Sequence, residues 1–537
     1  MSDPGAFSGR EALNRGVALG ACAGAGRAAT LPFMPLVARW ICLGVVVVVA
    51  AWLRVHDLGN RPMHADEANQ AVKLGALLER GEYRFDPYDH HGPTLYYLGL
   101  IPAWVRGERT LAELTETTVR MTPALAGTAA VLLLALTAAP LGWPVALVAA
   151  ALLAVSPAAV YYSRYFVQET LLVAFALLVW VAASRWMTGR RWRWALIAGG
   201  ALGLMQATKA TAPLFVAMAV VAWLAGRWAG RRGPGEPTAG DPRVGRGSIA
   251  VALLVVAALA IAVAALFYSS FFSHPAGLRD AVATYLPMSG RVAASGGAHD
   301  KPWWYYASLF WRQQVGGYTW DQTPFLVLVV AGGVGALISR EGRWRSVAVY
   351  ALGVAAVLSA VPYKTPWVVV NLLPAMAVLA AWVPWRVAAL GRWGQALAAV
   401  GVGFVIIWQA GQVRQAVFRR PADPRNPLAY VHSSPDVRRA ALLAKQAGEG
   451  PVRVISEEYW PLPWYLRDRD NVGYWTTVPA ECDGSLLFVS PALAESVRER
   501  LRGNYEEGFI GLRPGYVLQV FRRVPESASG EPGLPRN

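Results

Sequence analysis

Charge is scarce in this chain. Of 537 residues only 16% are Asp, Glu, Lys or Arg, against about a quarter in soluble globular domains. That shortage, with 55% hydrophobic residues and a mean hydropathy of +0.34, excludes an ordinary soluble protein. Lysine is scarcer still, at five of 50 cationic side chains. Cysteine is confined to Cys22, Cys42 and Cys482, which excludes a disulfide framework and a CxxC metal site. The C-terminal region has no Gly-rich phosphate loop, so no nucleotide is assigned to it. The net charge of +16 resembles that of a nucleic-acid binder. Its arginines, however, cluster in short loops between apolar runs, as the positive-inside rule requires of a membrane protein.

What the chain has in quantity is apolar runs. Taking roughly 20 residues as the unit of a crossing, they predict about eleven spans, near 36–54, 121–139, 142–160, 168–186, 193–207, 211–228, 248–268, 323–339, 345–362, 367–385 and 395–412. The expected fold class is a polytopic α-helical membrane protein with a small C-terminal α/β domain. Residues 1–35 read as a disordered cytoplasmic tail, 36–412 as the transmembrane domain with a large first outside loop at 55–120, and 413–537 as the extracytoplasmic α/β domain. Arginines at 185–193, 227–246, 340–345 and 386–392 mark the inside loops. Residues 233–247, rich in Gly and Pro, read as an inside linker. Residues 66–80 and 104–118 have the mixed apolar and polar look of helices lying in the interface plane. In the last domain, strands are predicted at Val452–Ile455, Asn471–Tyr474, Ser485–Val489 and Tyr516–Phe521, with helices ending near Gln446 and at Ala492–Leu501.

On this topology all seven histidines lie outside, and four of the lysines, Lys73, Lys209, Lys301 and Lys364, sit in outside loops or at their edges. Lysine is a compact point charge suited to a phosphate, and histidine titrates near neutrality. The centre of the arrangement is His64-Ala65-Asp66-Glu67, which follows the first span. An Asp there can be a helix N-cap and a Glu in a first turn suits the helix dipole. The alternative is a catalytic carboxylate pair. Asp89, His90, His91 and Tyr96 follow in the same loop, in a stretch that reads either as a sugar site or as a turn built of Asp, Gly and Pro. Tyr162, Arg164 and Glu169 stand at the outside junction of the third and fourth spans, where ionisable groups are costly unless paired or functional. Lys209 and Lys364 each end an apolar helix, where a lysine either snorkels or meets a phosphate. His299 and Lys301 precede the aromatic run Trp303 to Tyr306, which reads as a lid, an acceptor platform or an interface belt.

Together these stretches resemble the C-superfamily glycosyltransferases, on the side of family 39, which holds the protein O-mannosyltransferases and aminoarabinose transferases. The resemblance is closest to the prokaryotic flippase activity-associated mannosyltransferase-like family. It rests on Asp66-Glu67, His-Gly-Pro-Thr-Leu-Tyr-Tyr at 91–97, Tyr-Ser-Arg-Tyr at 162–165 with Glu169, Lys209, Tyr-Lys-Thr-Pro-Trp at 363–367 and the run Tyr459 to Arg467. It implies inverting transfer from a polyprenyl-phosphate sugar on the outer side of the membrane. In that scheme Asp66 is the base, Glu67 helps to position the acceptor, Glu169 occupies a second acidic position and Lys209 approaches the lipid phosphate. The family more often has Lys-Pro-Pro where this chain has His91-Gly92-Pro93, so a protonated His91 would replace that lysine.

The chemistry is consistent with these residue types alone. A carboxylate can take the proton of an acceptor hydroxyl, and His91, Arg164, Lys209 or Lys364 can stabilise charge on a departing phosphate. His64, Asp89, His90, Tyr96, Tyr162, His299 and Lys301 are candidates for contact with sugar or acceptor. No cofactor is required, although the outside histidines leave a divalent metal open. The expected partners are the membrane, a polyprenyl-phosphate sugar donor and a lipid, glycan or protein acceptor, with no nucleic acid. The expected location is the plasma membrane, multi-pass. A lipid-linked sugar flippase is disfavoured because transporters place ionisable groups near the bilayer midplane, whereas these carboxylates sit at span ends. A scaffold with an outside binding domain would not need so many spans.

Overall fold

The computed structural model describes residues 34–88, 91–230, 246–293, 297 and 299–524. The expected tail up to residue 33, the linker between 231 and 245, Asp89 and His90 lie outside the described residues. Among the described residues, seventeen α-helices occupy the first three quarters of the chain: α1 (Leu36–Val55), α2 (Ala65–Arg80), α3 (Thr94–Arg106), α4 (Glu116–Ala138), α5 (Trp143–Ala154), α6 (Pro157–Tyr162), α7 (Glu169–Gly189), α8 (Trp192–Thr208), α9 (Ala212–Gly230), α10 (Arg246–Tyr268), α11 (Ala276–Ala283), α12 (Tyr285–Ala293), α13 (Tyr305–Ser308), α14 (Thr323–Ile338), α15 (Gly342–Ala360), α16 (Leu373–Ala388) and α17 (Arg392–Val413). Every apolar run that predicts a crossing is helical. Among the described residues, five helices are long and apolar enough to cross a membrane: α1, α4 with its short extension, α7, most of α10, and α17 with the turn that follows. Four shorter apolar helices, α5, α9, α14 and α16, pack among them. The third run is broken at Ser156 into α5 and α6 because Pro157 restricts the residue before it and supplies a first helical position.

Two amphipathic helices, α2 and α3, fill the loop after α1. The second is Thr94–Arg106, not the 104–118 expected. Gly107, in the left-handed region at φ 78°, ends it, as glycine commonly does at a helix C-terminus.

The C-terminal domain carries a mixed five-stranded sheet. Strands β1 (Gln313–Val315) and β2 (Tyr318–Trp320) form a separate hairpin before α14. The sheet proper has β3 (Val452–Ile455), β4 (Val472–Trp475), β5 (Leu486–Val489), β6 (Tyr505–Arg513) and β7 (Tyr516–Arg523) in the order β4-β3-β5-β7-β6. β3 is parallel to β4 and β5, and the β6–β7 hairpin is antiparallel at the other edge. All residues of β5 are buried, as expected of a central strand covered on both faces.

This domain does not stand apart. Its core residues Leu462, Trp464 and Leu486 belong to one buried cluster with Met63, Ala68 and Leu74 of the first loop. Polar ties cross the same boundary: Met63 N–H donates to the Tyr465 hydroxyl at 2.9 Å, the Trp464 indole to Glu116 at 3.1 Å, and Arg438 to the Gly59 carbonyl at 2.7 Å.

Candidate active site

The N-terminus of α2 is held by a reciprocal cap. His64 is the N-cap, and its Nδ1 accepts the Asp66 N–H at 3.1 Å, while the Glu67 carboxylate accepts the His64 N–H at 3.2 Å. This capping-box arrangement separates the two carboxylates. Asp66 is not the cap: the N-cap is His64, and the Asp66 side chain is 47% exposed, with His64 Nδ1 3.9 Å away.

Glu67 is fully buried. It meets Arg120 at 2.8 and 2.9 Å, Arg61 at 3.3 Å and the Phe166 N–H at 3.0 Å. Burial alone would raise its pKa, but the charges of Arg120 and Arg61 and these hydrogen bonds more than offset it and hold the carboxyl below the ordinary range. Arg120 also donates to the carbonyls of Leu58, Arg61 and Pro62, so the loop before α2 is wrapped around one guanidinium. Glu67, expected to position the acceptor, is consumed by the scaffold and acts on the site only through the backbone it holds.

Other expected site residues are likewise engaged in structure. Arg164 donates to the carbonyls of Leu53, Arg54, His56 and Asp57; it is a cation at the C-terminus of α1, where the helix dipole favours one. Tyr162 is buried, with its hydroxyl on the Leu428 carbonyl at 2.9 Å. Tyr96 is buried and donates to Gln70. Both tyrosines are packed in the interior, with their hydroxyls already bonded within the protein. The Lys364 ammonium donates to the carbonyls of Lys301 and Val361; burial, partly offset by Asp300, lowers its pKa. It braces a short antiparallel contact in which Lys301 N–H meets Pro362 and Lys364 N–H meets His299, each at 3.1 Å.

The remaining candidates collect at two places. At the first, Lys209 is ion-paired with Glu169. His91 forms a β-bridge with Lys209, and Gly92 N–H donates to the Thr208 carbonyl at 3.1 Å. Glycine is required there, because a Cβ on Gly92 would lie 2.0 Å from the Ala207 carbonyl oxygen. One turn away begins an apolar cavity of about 840 Å³, lined by Leu172, Val173 and Met205 and reaching Trp223 and Arg227 near the far end of α9.

At the second place, Asp66 stands beside His64, whose ring packs against others. His64 meets Tyr165 and Trp367 at centroid distances of 5.4 and 5.8 Å. The charge of Asp66 acts on His299 and on Tyr430. Burial keeps the His299 pKa below its ordinary value although Asp66 opposes the shift. Tyr306 joins the two places: it hydrogen-bonds the Thr365 backbone and feels the charge of Glu169. Sequence reading missed Arg61, Arg120, Tyr430 and His432. The arginines carried no local signal that they would close on Glu67, and the last two lie in the segment after α17, to which no role was given. Among the described residues no group of three metal-ligating side chains comes together.

Comparison with known proteins agrees with this architecture. Residues 100–234 match the family model described as dolichyl-phosphate-mannose-protein mannosyltransferase. The structure is similar to that of ArnT from Cupriavidus metallidurans bound to undecaprenyl phosphate, with 15% identity, a TM-score of 0.58, and coverage of 91% of this chain and 98% of that one. The apo state of the same protein gives 16% identity, a TM-score of 0.57, and coverage of 92% and 99%. The S. cerevisiae protein O-mannosyltransferase Pmt1-Pmt2 complex, bound to the sugar donor, is 21% identical over 52% of this chain and 38% of that one, with a TM-score of 0.37. Sequence comparison with curated proteins gives no match. The chain has the fold of the C-superfamily glycosyltransferases, and the family it resembles within that fold is family 39, the protein O-mannosyltransferase-like enzymes.

Proposed function

We propose that this protein transfers a sugar from a polyprenyl-phosphate donor to an acceptor hydroxyl on the outer side of the membrane, with inversion and with Asp66 as the base. The observation that carries the reading is the division between two adjacent carboxylates. Glu67 is buried and bound on every side, while Asp66 is half-exposed beside an aromatic wall. A scaffold that immobilises the peptide unit before a half-exposed carboxylate is what general base catalysis needs, since the base must sit within hydrogen-bond reach of the proton it takes.

The lipid phosphate is assigned to Lys209 and His91. The apolar cavity, whose lining includes Leu172 and Met205 one helical turn from Glu169 and Lys209, suits an isoprenoid chain, and ArnT, of like fold, has been solved with undecaprenyl phosphate. In the step itself the acceptor O–H proton passes to Asp66 as the oxygen bonds to the anomeric carbon. The bond from that carbon to the phosphate oxygen breaks with its electron pair, and the charge arriving on the phosphate is stabilised by Lys209 and His91. Glu169 holds the Lys209 ammonium in place. No step calls for a metal.

The test is to incubate the purified protein with a panel of polyprenyl-phosphate sugars and measure released polyprenyl phosphate and glycosylated product. The reading expects at least one donor to be turned over with inverted configuration at the anomeric carbon. A product of retained configuration would rule out the single displacement.

A further inference from the structure

The chain leaving α17 passes over the N-terminus of α2 and places three consecutive residues there. Tyr430 and His432 flank Val431 and meet different partners. The Tyr430 hydroxyl pairs with His299 Nδ1 at 2.8 Å. Its ring lies 6.0 Å from Trp367 and 5.7 Å from the Lys301 ammonium. His432, in contrast, is buried against His64 at 5.6 Å and Tyr165 at 6.0 Å.

Val431 between them has φ +46°. A β-branched residue in the left-handed region is an outlier, and such strain persists only where the surroundings over-determine it. Here the burial of His432 on one side and the Tyr430–His299 bond on the other supply that constraint. The strain serves to aim Tyr430.

Trp367 links Tyr430 to the Asp66 end: its ring is 6.0 Å from Tyr430 and 5.8 Å from His64, whose Nδ1 is 3.9 Å from the Asp66 carboxylate. Asp66, the rings of Tyr430 and Trp367, His299 and Lys301 thus form one neighbourhood. An aromatic face is electron-rich and attracts the positively polarised C–H face of a sugar ring. A few convergent polar groups around such faces are what fix an oriented ligand. The donor's phosphate belongs at the other end, at Lys209. The ring in front of Asp66 is therefore the one whose hydroxyl Asp66 deprotonates.

We propose that Tyr430, held by His299, is a specificity-determining residue of the acceptor site, and that the acceptor is a saccharide rather than a peptide serine or threonine. This rests on the glycosyltransferase reading for the word acceptor, but binding tests it without turnover. The full-length protein in detergent is titrated with a panel of methyl glycosides and short oligosaccharides, and with Ser- and Thr-containing peptides, by saturation-transfer NMR. Wild type, Tyr430→Phe and Tyr430→Ala are compared, with thermal midpoints measured for each.

A saccharide is expected to bind wild type, to bind Tyr430→Phe within about threefold, and to bind Tyr430→Ala at least about tenfold more weakly at an unchanged thermal midpoint. In transfer assays Tyr430→Ala should raise KM for the acceptor more than it lowers kcat. Binding of peptides and not saccharides would overturn the acceptor class. Equal saccharide affinity in Tyr430→Ala and wild type would remove Tyr430 from the site. If a saccharide binds as described while no polyprenyl-phosphate sugar is ever turned over, the acceptor pocket stands and the catalytic reading falls.

Discussion

At the scale of residues, the account turns on Asp66 and Glu67 doing different work. Breaking a buried ion pair by removing one partner costs about 3–5 kcal/mol because the other charge is left uncompensated. Glu67→Gln should therefore lower the thermal midpoint strongly, with Arg120 stranded at 1% exposure. Asp66→Asn should leave stability within about 0.5 kcal/mol, as for an ordinary exposed position, since His64 does the capping. The comparison of the two midpoints checks this. Sequence alone offered both carboxylates equally, as cap or as catalyst. The deciding partners, Arg61, Arg120, Phe166 and the cap His64, became visible only when α2, α4 and the junction before α7 were brought together. His432 gives a second expectation. Burial, with Arg61 and His64 nearby, holds its pKa well below the ordinary histidine value. In the unfolded chain it binds a proton below that pH and in the folded chain it does not, so stability rises with pH there. Its contribution is complete above about pH 6.5 and is lost as the pH falls toward the folded value, at roughly 1.4 kcal/mol per pH unit for one proton. In His432→Gln that part of the pH slope should disappear, which denaturation midpoints across pH 5 to 7 would show.

At the scale of elements, hydrophobic run length made the helices legible, and β-branched and apolar runs made β3, β5 and β7 legible. The strand β6, Tyr505–Arg513, was not: it opens on two adjacent glutamates and carries two glycines, and it is a strand because β7 pairs with it along most of its length. The hairpin of β1 and β2 was too short to stand out. The placement of α3 against α8 depends on Gly92. In Gly92→Ala, the clash with the Ala207 carbonyl must be relieved by separating the two backbones, which breaks the Gly92–Thr208 hydrogen bond and moves His91 from Lys209. The expected result is a folded protein whose KM for the lipid donor rises by about tenfold or more, while KM for the acceptor changes little. Equal changes in both would mean that the α3–α8 contact does not serve the phosphate end.

At the scale of the molecule, the first loop and the C-terminal domain share one buried cluster. They must then lie on the same side of the membrane, which requires an even number of crossings between α1 and the domain; the ten predicted runs meet that condition. With the native cysteines replaced, Tyr88→Cys and Leu442→Cys, both at exposed positions, should react alike with a membrane-impermeant maleimide in intact cells. Reaction of one alone would contradict the shared core, and reaction of neither would invert the orientation drawn from the arginines. The proposed reaction draws on Asp66, Lys209 and Tyr430, three positions separated by long stretches of chain. The measurement that tests that reaction most directly is the rate of sugar transfer from a polyprenyl-phosphate donor by Asp66→Asn at saturating donor and acceptor. Loss of the base predicts a fall of about 10²–10⁴-fold, with the protein still inserted, folded and able to bind the donor. A variant that transfers sugar within a few-fold of wild type, while Glu169→Gln has lost transfer, would contradict the account and move the base to Glu169.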